Sequence, residues 1–304
     1  MIQPKGIIPP IVTPMLANED VDCARLEVWI DHLLSRGVHG IFVLGTTGEC
    51  YSLDESEKQK IIATAVAHVA GRVPVYAGTG AETTREAVRL TGIAHREGAS
   101  GVSVITPYFI SPSQSELADH YRRIAEAVQI PILLYNNPST TGGIKLEPET
   151  VAKLAGVPGI VGIKDSTGDM QHFNEIVRLV PDTFSVLQGR DTLIWHALMS
   201  GAKGAIPATC NFAVDYCVGI YEAFRTGDRE RAQEFQRKLA PVRIAMALGT
   251  APGTVKAALA AMGESVGPSR SPIAPLPPAQ TKRLVEILTE AGLMGHPTPD
   301  THRT

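Results

Sequence analysis

The sequence carries no excess of positive charge: 28 Lys and Arg stand against 31 Asp and Glu, a formal net charge of −3. Nucleic-acid binding needs concentrated basic side chains to displace counterions, so that class of partner is not expected. No apolar run approaches the roughly 20 residues that cross a bilayer, which excludes a membrane-spanning helix. The first residues, MIQPKGIIPPIVTPM, are broken by proline and lack the continuous apolar stretch and small-residue cleavage site of a secretory signal. Cysteine is scarce. Cys23, Cys50, Cys210 and Cys217 are too few for a disulfide scaffold across 304 residues, and none stands in a C-x-x-C pair. Neither a disulfide framework nor a structural zinc site is expected, and the four read as buried, reduced thiols of a cytoplasmic protein. Aromatics make up only 5% of the chain, but its 44% hydrophobic content is ample for a large core, so disorder is excluded as the main state.

What the chain has is alternation. Short β-branched runs (IIPPIVTP, HGIFVLG, VPVYAGTG, GVSVITP, PILLYNNP, IVGIKDST, FSVLQGRD and GAIPAT) recur between longer amphipathic stretches. Most of these runs are nearly all apolar, as strands covered on both faces must be. None reads as an edge strand, so eight strands with eight crossovers fit a (β/α)₈ TIM barrel better than an open sheet. DCARLEVWIDHLLSRG ends in a glycine suited to a helix C-terminus, and DESEKQKIIATAVAHVAG opens with a capping Asp and acids that favour the helix dipole. We divide the chain into a barrel catalytic domain, 1–225, and a C-terminal helical extension packed on it, 226–304. Helices are expected over Val214–Thr226, Asp228–Ala247, Thr254–Met262 and Thr281–Ala291. The proline-rich link SPIAPLPPAQ is expected on the surface between helices, and the tail GHPTPDTHRT is expected to fray.

In such barrels the strand ends and loops of the C-terminal face build the site. That rule gathers Gly45–Glu49, Tyr108, Tyr135-Asn136-Asn137, Lys164-Asp165, Gly189-Arg190-Asp191, Thr209 and Asn211 around one mouth. Lys164 is the most telling, because its strand is otherwise apolar and its side chain should enter the barrel end. A lysine ammonium, with an ordinary pKa of about 10.4, is no nucleophile, but an amine held in a desolvating pocket can attack a ketone. On this strand alone, snorkelling or a pair with Asp165 stays open. Tyr135 could move protons as general acid and base, or be a core tyrosine with a satisfied hydroxyl. The Gly45-Thr46-Thr47-Gly48 turn offers backbone N–H groups and two hydroxyls to a carboxylate. AGTGAETT lacks the Gly-Lys-Ser/Thr ending of a phosphate loop, and His32, His39, His68, His95, His120, His172 and His196 show no ligand spacing, so no metal and no cofactor are expected.

GTTGE, TPYFISPSQ, YNNPSTTG, GIKDSTG and GAIPATCN occur in the order and approximate spacing of the dihydrodipicolinate synthase / N-acetylneuraminate lyase superfamily, which the chain resembles from residue 5 to about 295. The resemblance implies a homotetramer, built as a dimer of dimers, of class I pyruvate-dependent aldolases. It implies that Lys164 forms a Schiff base with pyruvate or another 2-oxo acid. Tyr135 would shuttle protons, Thr46 and Thr47 would bind the carboxylate and relay protons, and Ile206 would face the substrate through its backbone. The chain also departs from the pattern. The synthases usually have Arg at the position of Thr140, where it holds the carboxylate of aspartate semialdehyde. Phe109 stands where a second tyrosine crosses a subunit interface into the neighbour's relay, while Tyr108 matches the first. Arg190, beside Gly189 and Asp191, is the cation that could take over distal binding, unless it serves a structural ion pair.

The expected activity is therefore that of a Schiff-base pyruvate-type lyase, an aldolase or dehydratase acting on a 2-oxo-3-deoxy sugar acid or related hydroxy-2-oxo acid. The alternatives are 4-hydroxy-tetrahydrodipicolinate synthase, condensing pyruvate with aspartate semialdehyde, and a non-catalytic sugar-acid sensor on the same barrel.

Overall fold

The computed structural model describes residues 2–294, so the tail 295–304 and the end of the extension lie outside the described residues. Eight parallel strands run β1 (Gly6–Ile7), β2 (Ile41–Val43), β3 (Val75–Gly78), β4 (Gly101–Ile105), β5 (Ile132–Asn136), β6 (Ile160–Asp165), β7 (Ser185–Gln188) and β8 (Gly204–Ala205). They are hydrogen-bonded in the order β1-β8-β7-β6-β5-β4-β3-β2. Between β1 and β2 the circle closes through a parallel bridge from Pro10 to Phe42, with Phe42 N–H donating to Pro9 O at 3.0 Å and Ile11 N–H to Phe42 O at 2.9 Å. Pro9 and Pro10 have no N–H to give a ladder, which is why β1 is only two residues long and the rest of IIPPIVTP is extended chain. This is a (β/α)₈ TIM barrel.

The eight barrel helices are α1 (Cys23–Ser35), α2 (Glu55–Val69), α3 (Thr84–Arg96), α4 (Gln114–Ala127), α5 (Pro148–Leu154), α6 (Met170–Leu179), α7 (Ile194–Met199) and α8 (Val214–Arg225). Local chemistry starts and stops them. Asp54 and Glu57 form a reciprocal capping box on α2, each side chain taking the other's backbone N–H, at 2.8 and 2.9 Å. Gly37 takes up a positive φ of 78° just after α1.

The apolar strands split by alternation into two buried groups. Ile41, Val43, Val75, Ala77, Val102, Val104 and their equivalents pack outward with the helices. Ile8, Phe42, Tyr76, Leu133, Leu187 and Ile206 form a separate cluster, and we read it as the barrel interior.

The extension comprises α9 (Arg229–Ile244), α10 (Gly253–Ala261) and α11 (Pro278–Glu290). The helix expected to Ala247 ends at Ile244 and tightens into a 3₁₀ turn over Ala245–Leu248. The last helix begins three residues before the expected Thr281, with Pro278 at a first-turn position where a missing N–H costs nothing. The link preceding it does not merely cover surface: Ile273 lines the cavity at the barrel mouth. Of the four thiols, all free, Cys210 and Cys217 are buried but Cys23 and Cys50 are only half-buried. Among the described residues no single helix is long and apolar enough to cross a membrane.

Candidate active site

Tyr135 on β5 and Lys164 on β6 are register partners, side by side at the C-terminal ends of adjacent strands. Two residues earlier on the same faces stand Leu133 and Gly162. A Cβ on Gly162 would come within 2.3 Å of Ser185 O and 2.9 Å of Leu133, so only glycine fits beneath the lysine. Lys164 is 4% exposed, and its Nζ lies 4.1 Å from the centroid of the Tyr135 ring and 5.4 Å from that of Phe42. Among the described residues no carboxylate lies within ion-pairing distance of it; a pair with Asp165 is not formed. Two aromatic rings flank this amine.

The Tyr135 hydroxyl, buried with its ring, accepts a hydrogen bond from Asn137 Nδ2 at 3.0 Å. The amide is held in that orientation because its Oδ1 accepts from the Ser139 hydroxyl at 2.8 Å. The phenol's own proton is therefore uncommitted and can be donated elsewhere. Beside it, the turn after β2 is bracketed by two residues with positive φ, Leu44 at 59° and Glu49 at 56°. The N–H groups of Gly48, Glu49 and Cys50 close the turn onto Gly45 O and Thr46 O at 3.0 to 3.4 Å. That leaves the N–H groups of Thr46 and Thr47 without a protein partner among the described residues, with both side chains half-buried at the mouth. Two adjacent free N–H groups form an anion-binding concavity.

A cavity of about 560 Å³ opens beside them, with Thr46, Cys50, Lys58, Tyr108, Tyr135 and Thr140 in its wall; Lys164 and Thr47 do not line it. Burial, and then the carboxylate of Glu82, pushes the Tyr108 phenol above its ordinary pKa, and burial pushes the Cys50 thiol up to about 11. Thr140 puts no cation at its place in the wall; its hydroxyl donates to Asn137 O at 3.2 Å. Phe109 is 97% exposed with a φ of 78°. A larger groove, about 830 Å³ between α9 and α11, contains none of the candidate residues.

Three residues gathered by the strand-end rule, Asp165, Asp191 and Asn211, spend their side chains on protein partners. Asp165 accepts from Asn136 Nδ2 at 2.8 Å and from the Thr167 hydroxyl at 2.7 Å, with His172 Nε2 3.8 Å away; burial raises its pKa. Asp191, expected to meet substrate, is fully buried and its Oδ2 takes both the N–H and the hydroxyl of Thr209 at 2.8 and 2.5 Å. The side chain thus fixes the end of β8. Asn211 likewise ties Val12 N–H and Pro10 O across the closure of the barrel, both at 3.0 Å. Gly189 is required by close approach, since a Cβ there would lie 1.9 Å from Ser166 Oγ. Arg190 donates through Nε to Ser166 O at 2.8 Å, without an ion pair to Asp191. Ile206 belongs to the interior cluster; its N–H donates to Gln188 O at 2.8 Å and its carbonyl accepts nothing among the described residues.

Sequence reasoning missed the role of Asn137, although period-two alternation puts it on the face of Tyr135. It missed entirely that Lys256 and Arg270 reach Glu49, because no local pattern links residues so far apart, 221 positions in the case of Arg270. Among the described residues no group of three or more His, Cys, Asp and Glu could hold a metal ion.

The profile described as the dihydrodipicolinate synthetase family matches residues 3–291. The 4-hydroxy-tetrahydrodipicolinate synthase of Methanoculleus marisnigri is 42% identical over 291 residues, covering 95% of this chain and 99% of its own. That of Syntrophus aciditrophicus is 40% identical, covering 96% and 99%. The crystal structure of YagE, an Escherichia coli prophage protein of the dihydrodipicolinic acid synthase family in complex with pyruvate, superposes with a TM-score of 0.91 at 33% identity, covering 95% of this chain and 99% of that one.

Proposed function

The chain belongs to the dihydrodipicolinate synthetase family, and from that premise we propose that it is a Schiff-base-forming, pyruvate-type lyase that cleaves or dehydrates a 2-oxo-3-deoxy sugar acid or a related hydroxy-2-oxo acid. The observation that carries the reading is the unpaired Lys164 amine against the Tyr135 ring, beside the free N–H groups of Thr46 and Thr47.

The steps follow from these positions. The substrate carboxylate sits on the Thr46–Thr47 turn, and the Lys164 amine adds to the 2-oxo carbon. Tyr135 donates its free proton to the developing oxyanion, the carbinolamine loses water, and an iminium remains. This cation draws the electrons of the breaking C3–C4 bond into an enamine, as the C4 hydroxyl returns a proton to the Tyr135 phenolate and the C4 fragment leaves as an aldehyde. In dehydration, the enamine formed by losing a C3 proton expels hydroxide instead. The electron sink is the imine, and activity should survive chelators. Residues 1–225 would form this catalytic barrel. The active unit would be a cytoplasmic homotetramer, Phe109 reaching across a subunit interface with no phenol to offer beside Tyr108.

The second reading, condensation of pyruvate with aspartate semialdehyde, is favoured by the names of the relatives. Against it stands Thr140, whose hydroxyl cannot replace a bidentate cation worth about 1.5–3 kcal/mol. Arg190, with its terminal nitrogens free of ion pairs among the described residues, is the candidate for the distal contact. Borohydride trapping with pyruvate should modify Lys164, and kcat/KM should then be compared between aspartate semialdehyde and a panel of 2-oxo-3-deoxy sugar acids. Preference for the sugar acids, with KM raised by Arg190→Ala, is expected. Preference for the semialdehyde establishes the second reading, and an unmodified Lys164 peptide rules out both.

A further inference from the structure

One buried ion pair outside the mouth centres on Glu49, the last residue of the carboxylate-binding turn. Its side chain is fully buried, and so is that of Lys256 on α10. The Lys256 ammonium lies 2.7 Å from Glu49 Oε1, an ionic contact off the direction of an aligned hydrogen bond, and donates to Pro268 O at 2.6 Å. The other carboxylate oxygen accepts the backbone N–H of Arg270 at 2.8 Å. The Arg270 guanidinium reaches on to Ser52 O at 2.8 Å and grips both Glu57 oxygens at 2.7 and 2.8 Å. From the opposite side the Thr13 hydroxyl donates to Gly48 O at 2.7 Å. The turn 45–49 is thus held at its exit by the extension and its link, while Glu49 keeps the left-handed backbone that ends the turn.

A buried carboxylate next to a site for anions is a liability. Unneutralised, Glu49 would repel an incoming carboxylate across a medium less polarisable than water. With Lys256 it forms a neutral pair. We propose that Lys256, with Arg270, is a positioning and charge-neutralising element of the substrate-carboxylate site: through Glu49 it orients the Thr46 and Thr47 N–H groups and cancels the charge behind them. The C-terminal extension is then part of the binding site at one remove. The proposal rests on the reading above that this turn holds the carboxylate.

Borohydride trapping titrated with pyruvate and with its neutral methyl ester tests it. Lys256→Met should raise the half-saturating pyruvate concentration about tenfold and leave that of the ester within about twofold. Combining it with Glu49→Gln, which removes the buried charge and keeps an acceptor for Arg270 N–H, should bring pyruvate most of the way back. Fold loss alone would not give this ester-against-acid split. If pyruvate and ester move together in Lys256→Met, or neither moves, the proposal is wrong. Should that variant not fold, Lys256→Gln, which removes the charge and keeps a donor for Pro268 O, is read by the same split. Thr47→Pro, which deletes one of the two N–H groups, separates the two levels of argument. If it leaves pyruvate saturation unchanged, the turn is not the carboxylate site; if it weakens pyruvate while Lys256→Met does not, only the proposal fails.

Discussion

Lys164 and Asp165 are adjacent in sequence, as are Tyr135 and Asn136, and the pairs sit opposite one another on β5 and β6. Yet the inner pair and the outer pair live under different rules. Inside, the lysine amine lies against the Tyr135 ring with no hydrogen-bond or ion-pair partner among the described residues, and the phenol keeps its proton free. Outside, Asp165 and Asn136 are fully engaged: the carboxylate holds Asn136 and Thr167, and Asn136 Oδ1 accepts Leu146 N–H at 3.0 Å. The difference teaches where chemistry can occur. A buried polar group with all its partners stabilises one geometry, and one left without partners is available to a substrate.

Four experiments press on that contrast. The largest effect should come from Lys164→Ala, which removes the amine set against the Tyr135 ring and leaves Lys58, a second lysine in the cavity wall, in place. Borohydride adduct and turnover should both disappear while the thermal midpoint holds; retained trapping would erase the inner half of the comparison. Tyr135→Phe should lower kcat by about 10²- to 10⁴-fold, the range of a lost general acid and base, with the adduct still forming slowly. A kcat within a few fold of the parent would return Tyr135 to the core.

Asp165→Ala should do the reverse, lowering stability by about 3 kcal/mol in urea titrations because Asn136 and Thr167 lose their acceptor, while trapping persists. Loss of trapping at full stability would show that the outer network is chemical rather than structural. The smallest change over the working pH range belongs to the helix layer, where His120 is buried with Nδ1 2.9 Å from Thr84 Oγ1 and no partner for Nε2. Burial lowers its pKa to about 4 from 6.5. The unfolded chain therefore binds the proton first, and stability falls as pH drops from 6.5 towards 4, by up to about 3 kcal/mol. His120→Gln should flatten that slope in thermal melts between pH 7 and pH 4.5; an unchanged slope would place the titration elsewhere.

Much of this was legible in the chain. Seven of the eight strands lie within the apolar runs read for them, and β1 overlaps its run only at Ile7, because a strand buried on both faces has to be apolar while the prolines of IIPPIVTP cannot join a ladder. The capping box of α2 is written in Asp54 and Glu57, and Lys164 drew attention as a charge in an apolar strand. The strand-end rule, in contrast, gathered too many residues: it could place Asp191, Thr209 and Asn211 at the right end of the barrel but not tell which way their side chains turn. One step of alternation, or one turn of a loop, separates a ligand from a tie.

By itself the sequence determined the barrel and the capped start of α2, and set a lysine and a tyrosine at strand ends, because these follow from patterns a few residues long: alternation, capping and a polar side chain at the end of an apolar run. Tertiary structure alone decided that Asp191 fixes β8, that Asn137 orients the Tyr135 hydroxyl, and that Glu49 meets Lys256 and Arg270. Those contacts join segments whose proximity arises only when the barrel closes and the extension folds back over its mouth, and no local periodicity encodes a partner at that distance.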